Sequence, residues 1–185
     1  ASGGGTGRTL HPDNMAAGPA SYGMTDTMGR MHGDAQFAGS SSVPAHVEMM
    51  VTKDGPKMIE LGARMGGDCI TTHLVPLSTG IDMMAATIKC ACGEKPDIAP
   101  KFNKGSAIRF FKTEVGTVAD ISGVEEAEKI DGVREISFTK KVGDKVTEIN
   151  SSTDRVGYVI GQGKDAKSAV EICNEVTEAI LIKVQ

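Results

Sequence analysis

No tryptophan occurs in this 185-residue chain, and its aromatic side chains are limited to five Phe and two Tyr. A core must therefore be built from Ile, Val, Leu, Met and Ala, and an apolar share of 39% is enough for one. The sequence also lacks any apolar run near the roughly 18 residues of a membrane-spanning helix, and no signal peptide is visible, so a cytoplasmic protein with no membrane partner is expected. It lacks a basic surplus: the net charge is −4, which argues against a nucleic-acid partner. Four cysteines, Cys69, Cys90, Cys92 and Cys173, are too few and too unevenly spaced for a disulfide framework or a two-pair zinc site. They read as buried or half-buried thiols.

Lysine is absent before Lys53, and branched aliphatics are nearly absent from residues 1–42. Those residues hold nine Gly and four Met, with Leu10 and Phe37 the only large aliphatic or non-polar aromatic side chains besides the methionines. Such a stretch cannot bury enough apolar surface to offset its ordering entropy. Residues 1–5 and 39–42 read as linker, and the remainder as mostly loop with room for one short helix. His11 and His32 have no partner at ligand spacing and read as solvated histidines. The expected organisation is a linker-like or foreign segment at 1–42, then a unit at 43–105, then a small α+β lobe at 106–185.

From Val43 on, α and β patterns alternate, which predicts an α+β fold with mixed or antiparallel sheets and packed helices. His46–Thr52 is a strand, Asp54-Gly55 a tight turn, and 57–61 the returning strand. A glycine-rich loop covers 62–68, and Asp68 or Thr71 is placed to cap the short segment that Pro76 then interrupts. Thr79 is placed to cap a helix reaching Cys92, with Ile81, Met84, Ala85 and Ile88 on one face. Strands follow at 107–113, 117–121, 133–140 and 157–161. In 133–140, Val133, Glu135, Ser137 and Thr139 alternate against Arg134, Ile136, Phe138 and Lys140. A short acidic helix is expected at 124–130 and a long one from Lys164 or Asp165 to Ala179, which shows Ala169, Ile172, Cys173, Val176, Thr177 and Ile180 on one side. Leu181–Val184 is a final edge strand.

The stretch that carries chemistry is 46–68. Glu48 lies inside one strand of the hairpin and Glu60 inside the other, each flanked by apolar neighbours. Counting from the turn places Glu48 across from residue 60 or 61. Like charges so placed repel unless a cation lies between them, and an oxygen-only donor pair suits Mg²⁺ or Mn²⁺ bridged to phosphates. The alternative is a solvated acid pair softened by nearby lysines. Four residues beyond Glu60 stands Arg64, followed by Met65-Gly66-Gly67-Asp68. An arginine beside a glycine loop holds a carboxylate or phosphate while backbone N–H groups close on it.

This ordered set, H46-V-E48, K-D-G, then M-I-E60-L-G-A-R64-M-G-G67, resembles the metal-binding hairpin of ATP-grasp carboxylate–amine ligases. The helix entry H73-L-V-P-L-S-T-G-I-D82 is similar to the amino-acid-ligase branch. The segments A107-I-R-F-F111, G132-V-R-E-I136 and D154-R-V-G-Y-V-I160 are similar to the small β-rich C-terminal lobe of that and the carbamoyl-phosphate-synthase-like branch. The resemblance covers about residues 43–185. Where many members read Glu-x-Asn-x-Arg, this chain reads Glu60-Leu-Gly62-Ala-Arg64, so Gly62 stands at the position of a third metal or phosphate contact.

The resemblance implies a fragment of a peptide-bond-forming ligase in which ATP phosphorylates a carboxylate and an amine attacks the acyl phosphate. It implies Glu48 and Glu60 as ligands of Mg²⁺ (or Mn²⁺) on ATP, Arg64 as the residue that stabilises the acyl phosphate, and Gly66 and Gly67 as the backbone grip on the substrate carboxylate. The lysine-bearing nucleotide lobe has no place in 1–52, so inactivity alone is expected, as is self-association through an apolar face left uncovered. A binding or scaffold module that keeps the fold without catalysis, and an unrelated α+β domain with an accidental motif, are the competing expectations.

Overall fold

The computed structural model of the chain describes residues 15–17 and 44–185. The linker and histidine readings at 1–5, 11, 32 and 39–42 lie outside the described residues. The chain divides into two compact units, with the break between Asn103 and Lys104 and with Met15 and Ala16 joining the second. Each is mixed α and β with antiparallel strand pairing, the fold class expected.

In the first unit β2 (His46–Thr52) and β3 (Gly55–Gly62) form an antiparallel hairpin. Its turn is Lys53-Asp54, because Thr52 already pairs with Gly55, one step earlier than the predicted Asp54-Gly55 turn. A π-helical turn, Ile70–Leu74, runs into α1 (Val75–Thr79). Pro76 does not interrupt this element. It sits in the first turn of α1, where its missing N–H has no partner to lose. Buried Ser78 and Thr79 hydroxyls donate to the carbonyls of Leu74 (2.7 Å) and Val75 (2.8 Å), so both polar groups are satisfied inside.

The next helix, α2 (Met83–Ala91), starts later than the Thr79 cap predicts. Its cap is Asp82, whose carboxylate accepts from the Ala85 N–H at 2.8 Å. The later start rotates the buried face. Met83, Ala86 and Cys90 are inside, while Met84, Ala85 and Ile88 are exposed, which reverses the face read from periodicity. Ile81, just ahead of the helix, packs with Val75 and Met83. Gly80 closes α1 at φ +76°, and a Cβ there would meet the Phe102 ring at 2.8 Å. Glycine is therefore required twice over at that point. The Lys101 N–H donates to the Thr79 carbonyl at 2.8 Å and ties the polar connection back to α1.

The second unit holds two sheets. In the larger, the order is β1 (Met15–Ala17), β4 (Gly105–Phe110), β8 (Gly157–Gly163), β6 (Val133–Phe138). The smaller orders β7 (Lys145–Val146), β5 (Gly116–Ser122), β9 (Leu181–Val184), with β9 at an edge. β1 and β7 are too short to show a period in sequence. A one-turn helix, α3 (Val124–Ala127), is shorter than predicted. The long helix α4 (Ala166–Ala179) starts from Asp165 in a reciprocal cap with Ser168, whose hydrogen bonds hold the Asp165 carboxyl below its ordinary range.

Ala169, Cys173, Val176 and Ile180 bury one face of α4 against Ala107, Phe111 and Val159. Burying side chains of this size stabilises by about 1.5–3 kcal/mol for each large one. That exceeds the few tenths of propensity that valine and isoleucine lose in a helix. β6 breaks its predicted alternation. A bulge between Val133 and Glu135 lets Val133, Ile136 and Phe138 all pack on this core.

All four cysteines are free, with Cys90 and Cys173 buried, Cys69 partly so, and Cys92 exposed, contrary to the buried reading of that residue. Burial pushes the Cys173 thiol up to about 12, and its Sγ–H reaches the Ala107 carbonyl at 3.5 Å, so it is a neutral packing group at physiological pH.

Candidate functional site

The hairpin register brings the predicted acid pair together. Glu48 and Glu60 are directly opposed, as are His46 and Gly62. Near the turn, paired residue numbers add to one less than at Glu48–Glu60. A bulge between Glu48 and Met49 supplies the difference, because Met49 pairs with Met58 and Ile59 is the extra residue. Without that bulge Glu48 would face Ile59 and the pair would be split between the two faces. With it, positions 46, 48, 60 and 62 lie on one face of the ribbon.

The Glu60 carboxylate is exposed and meets the Arg64 guanidinium, Oε1 to Nη2, at 3.1 Å. The Arg64 Nη1 also donates to the Met65 carbonyl at 3.1 Å. The stem of Arg64 lies over Gly62: a Cβ at that glycine would be 3.2 Å from Arg64 Cγ and 3.4 Å from its Nε.

The glycine loop is held from three sides. A Cβ on Gly66 would be 3.0 Å from His46 Nδ1 and 3.2 Å from Ile70 Cβ, so His46 from β2 and Ile70 from the π-helical turn pinch the backbone between them. The buried Thr71 hydroxyl donates to the Gly66 carbonyl at 3.0 Å, and the Ile70 N–H donates to the Gly67 carbonyl at 2.9 Å. Thr71 thus clamps the loop rather than capping a helix. Nor does Asp68 cap: it and Cys69 take left-handed backbone, φ 48° and 61°, and the Cys69 carbonyl accepts from both His73 and Leu74 N–H at 2.9 Å. That conformation costs L residues about 1–2 kcal/mol each, so the three-sided clamp matters.

Gly67 differs from Gly66. Among the described residues nothing lies within 4 Å of where its Cβ would be, so its backbone is open on that side. Gly66 is a packing requirement and Gly67 a point of approach. Gly66→Ala is accordingly expected to cost about 1–3 kcal/mol, the scale of overpacking, while Gly67→Ala leaves the unfolding midpoint within error. Chemical denaturation of the two variants side by side checks this, and equal losses would show that both glycines serve packing.

His46, Ile70 and Thr71 were not singled out as site residues from sequence. Only the spacing of His46, two residues before Glu48 on a strand, signals that it shares a face with the acid. Ile70 and Thr71 carry no such signal, since their contact with the loop arises when the chain turns back after Gly67.

Oxygen donors at opposed positions 48 and 60 suit a hard divalent cation that takes its other ligands from phosphate and water. No group of three or more His, Cys, Asp or Glu gathers at ligand spacing among the described residues. A cleft of about 240 Å³ between α2 and residues 96–101 is lined by Asp82, Lys89, Asp97 and Lys101 over Ile81 and Ala86, and includes none of the predicted site residues.

Two family models match different parts of the chain. Residues 109–185 match the L-amino acid ligase C-terminal domain 2, and residues 1–62 match the GGGtGRT protein family. Among curated proteins, the uncharacterized protein y4rH of Sinorhizobium fredii is 28% identical over 138 residues, covering 74% of this chain and 29% of that protein. Among solved structures, an L-amino acid ligase from Bacillus licheniformis is similar with a TM-score of 0.65 at 23% identity, covering 80% of this chain and 37% of that one. A phosphoribosylglycinamide synthetase from Anaerococcus prevotii gives 0.64 at 22%, covering 77% and 37%. The biotin carboxylase domain of the Hydrogenobacter thermophilus 2-oxoglutarate carboxylase, solved with MgADP and bicarbonate, gives 0.57 at 18%, covering 77% and 32%. The chain thus spans roughly a third of the length of each of these relatives.

Proposed function

We propose, for a chain that carries the C-terminal part of the ATP-grasp fold, that residues 46–185 are the metal- and carboxylate-holding portion of an ATP-dependent carboxylate–amine ligase. The observation that carries this reading is the bulged hairpin register. It opposes Glu48 to Glu60, with Arg64 at Glu60 and the open backbone of Gly67 next in line.

In this reading Glu48 and Glu60 hold Mg²⁺ or Mn²⁺, which when bound neutralises nucleotide phosphate charge. Arg64 presents a planar fork of donors to the acyl phosphate. The Gly66-Gly67 backbone holds the substrate carboxylate, with approach at Gly67 and rigidity from the His46–Thr71 clamp. The chain alone does not turn over, because the portion that covers the nucleotide is supplied from elsewhere in a longer protein. Met58, Ile59 and Leu61 on β3, all about half or more exposed, belong to the surface that such a portion, or a second copy of this chain, covers.

Calorimetric titration with ADP tests the proposal, using this chain joined to the upstream lobe of the B. licheniformis ligase. Nucleotide affinity that requires Mg²⁺ supports a ligase portion. Affinity that is absent, or indifferent to the metal, identifies a scaffold that kept the fold and lost the chemistry.

A further inference from the structure

The contact between Glu60 and Arg64 has a local cause in Gly62. Arg64 reaches back four residues along the chain, and its stem crosses the strand through the volume that a side chain at 62 would fill, 3.2–3.7 Å from the Cβ position. Glu60 and Gly62 share a face of the ribbon, so that volume adjoins the acid. The guanidinium then lies 3.1 Å from the carboxylate oxygen.

We propose that Arg64 is an internal counter-ion that occupies Glu60 while the site is empty, and that a divalent cation at Glu60 and an anion at Arg64 enter by exchanging this pair. The inference rests on Glu60 being a metal ligand. Its physical content is competition. Two cations at one carboxylate repel each other, so a metal bound at Glu60 weakens its pairing with Arg64, and an anion that draws the guanidinium away favours the metal at the carboxylate. Cation and anion therefore favour each other's binding, reciprocally and by the same factor. Both side chains are more than half exposed, so the pair is a weak latch that either ligand can open.

Changing Arg64 to a neutral residue would confuse the latch with simple loss of a repelling charge. Gly62→Val avoids this, since it alters no charge and offers no metal ligand, and its branches occupy the volume crossed by the Arg64 stem. Valine also suits a strand. Arg64→Lys is the second variant: it keeps the charge but has a shorter reach and no fork.

The full chain is titrated with Mn²⁺, followed by electron paramagnetic resonance, with and without inorganic phosphate. Without phosphate, Gly62→Val and Arg64→Lys are expected to bind Mn²⁺ about three- to fivefold more tightly than wild type, the range an exposed ion pair reaches. Phosphate is expected to improve wild-type affinity more than that of Gly62→Val. In wild type the Arg64 side-chain N–H resonance should move on adding Mg²⁺ alone, and in Glu60→Gln it should not. Unchanged Mn²⁺ affinity in both latch variants, with binding lost in Glu60→Gln, overturns the latch and leaves the metal site standing. Mn²⁺ binding that is indifferent to Glu60→Gln removes the metal reading and the latch with it.

Discussion

Glu60→Gln, and separately Glu48→Gln, should change the unfolding free energy of the metal-free chain by no more than about 0.5 kcal/mol, yet lower ligation about a thousandfold in a protein with the nucleotide lobe restored. The small stability term follows from exposure. Glu60 and its partner Arg64 are 56% and 57% accessible, so water screens their pair, and a glutamine oxygen can still accept from the guanidinium. Removing one of two opposed charges at 48 and 60 also relieves repulsion, which offsets part of any loss. The large kinetic term follows from what a divalent cation does at phosphate. A loss of about 4 kcal/mol of charge stabilisation equals about three powers of ten in rate. Denaturant midpoints in the presence of a chelator and steady-state ADP release measure the two quantities on the same variants. Should both variants lose more than about 2 kcal/mol without metal while ligation persists, these acids are structural and the assignment fails.

Gly105→Ala should destabilise the second unit by about 4 kcal/mol or more, lowering its melting midpoint on the order of 20 °C. A Cβ there would sit 1.9 Å from the Asp165 carbonyl oxygen and 2.4 Å from the Ala166 nitrogen. Both are backbone atoms, so no side chain can rotate away. Either β4 parts from β8 or the start of α4 lifts off the sheet and draws Ala169 and Cys173 from the core. Circular dichroism melts and amide exchange at Ala107–Phe110 separate the two, because opening of the ladder exposes those amides while displacement of the helix alone does not. A change below about 1 kcal/mol would mean that the helix start is free to shift.

Periodicity made the long elements legible. The hairpin at 46–62, the strand at 157–163 and the helix ending at Ala179 each carry a side-chain pattern long enough to identify their type, and Asp165 marks a start within one residue. The order of Glu48, Glu60, Arg64, Gly66 and Gly67 along the chain likewise named the candidate residues, because their chemistry is written in residue type and spacing. Register was legible only in part: counting from the turn places Glu48 across from residue 60 or 61, and it does face Glu60, but the bulges that set the register were not. The Glu48–Glu60 opposition depends on a bulge at Ile59, and the core face of β6 on another before Glu135, and an extra unpaired residue leaves no mark on composition. The exposed face of α2 turned on whether Thr79 or Asp82 caps it. Both are good caps, and Thr79 is instead spent inside, donating to Val75 and accepting from the Ile81 N–H. The distinct duties of Gly66 and Gly67 are also tertiary: one meets His46 from a strand twenty residues earlier, and the other meets none of the described residues. Local sequence sets what each segment prefers and which atoms it offers. Which atoms meet is decided only when separate segments compete for the same space.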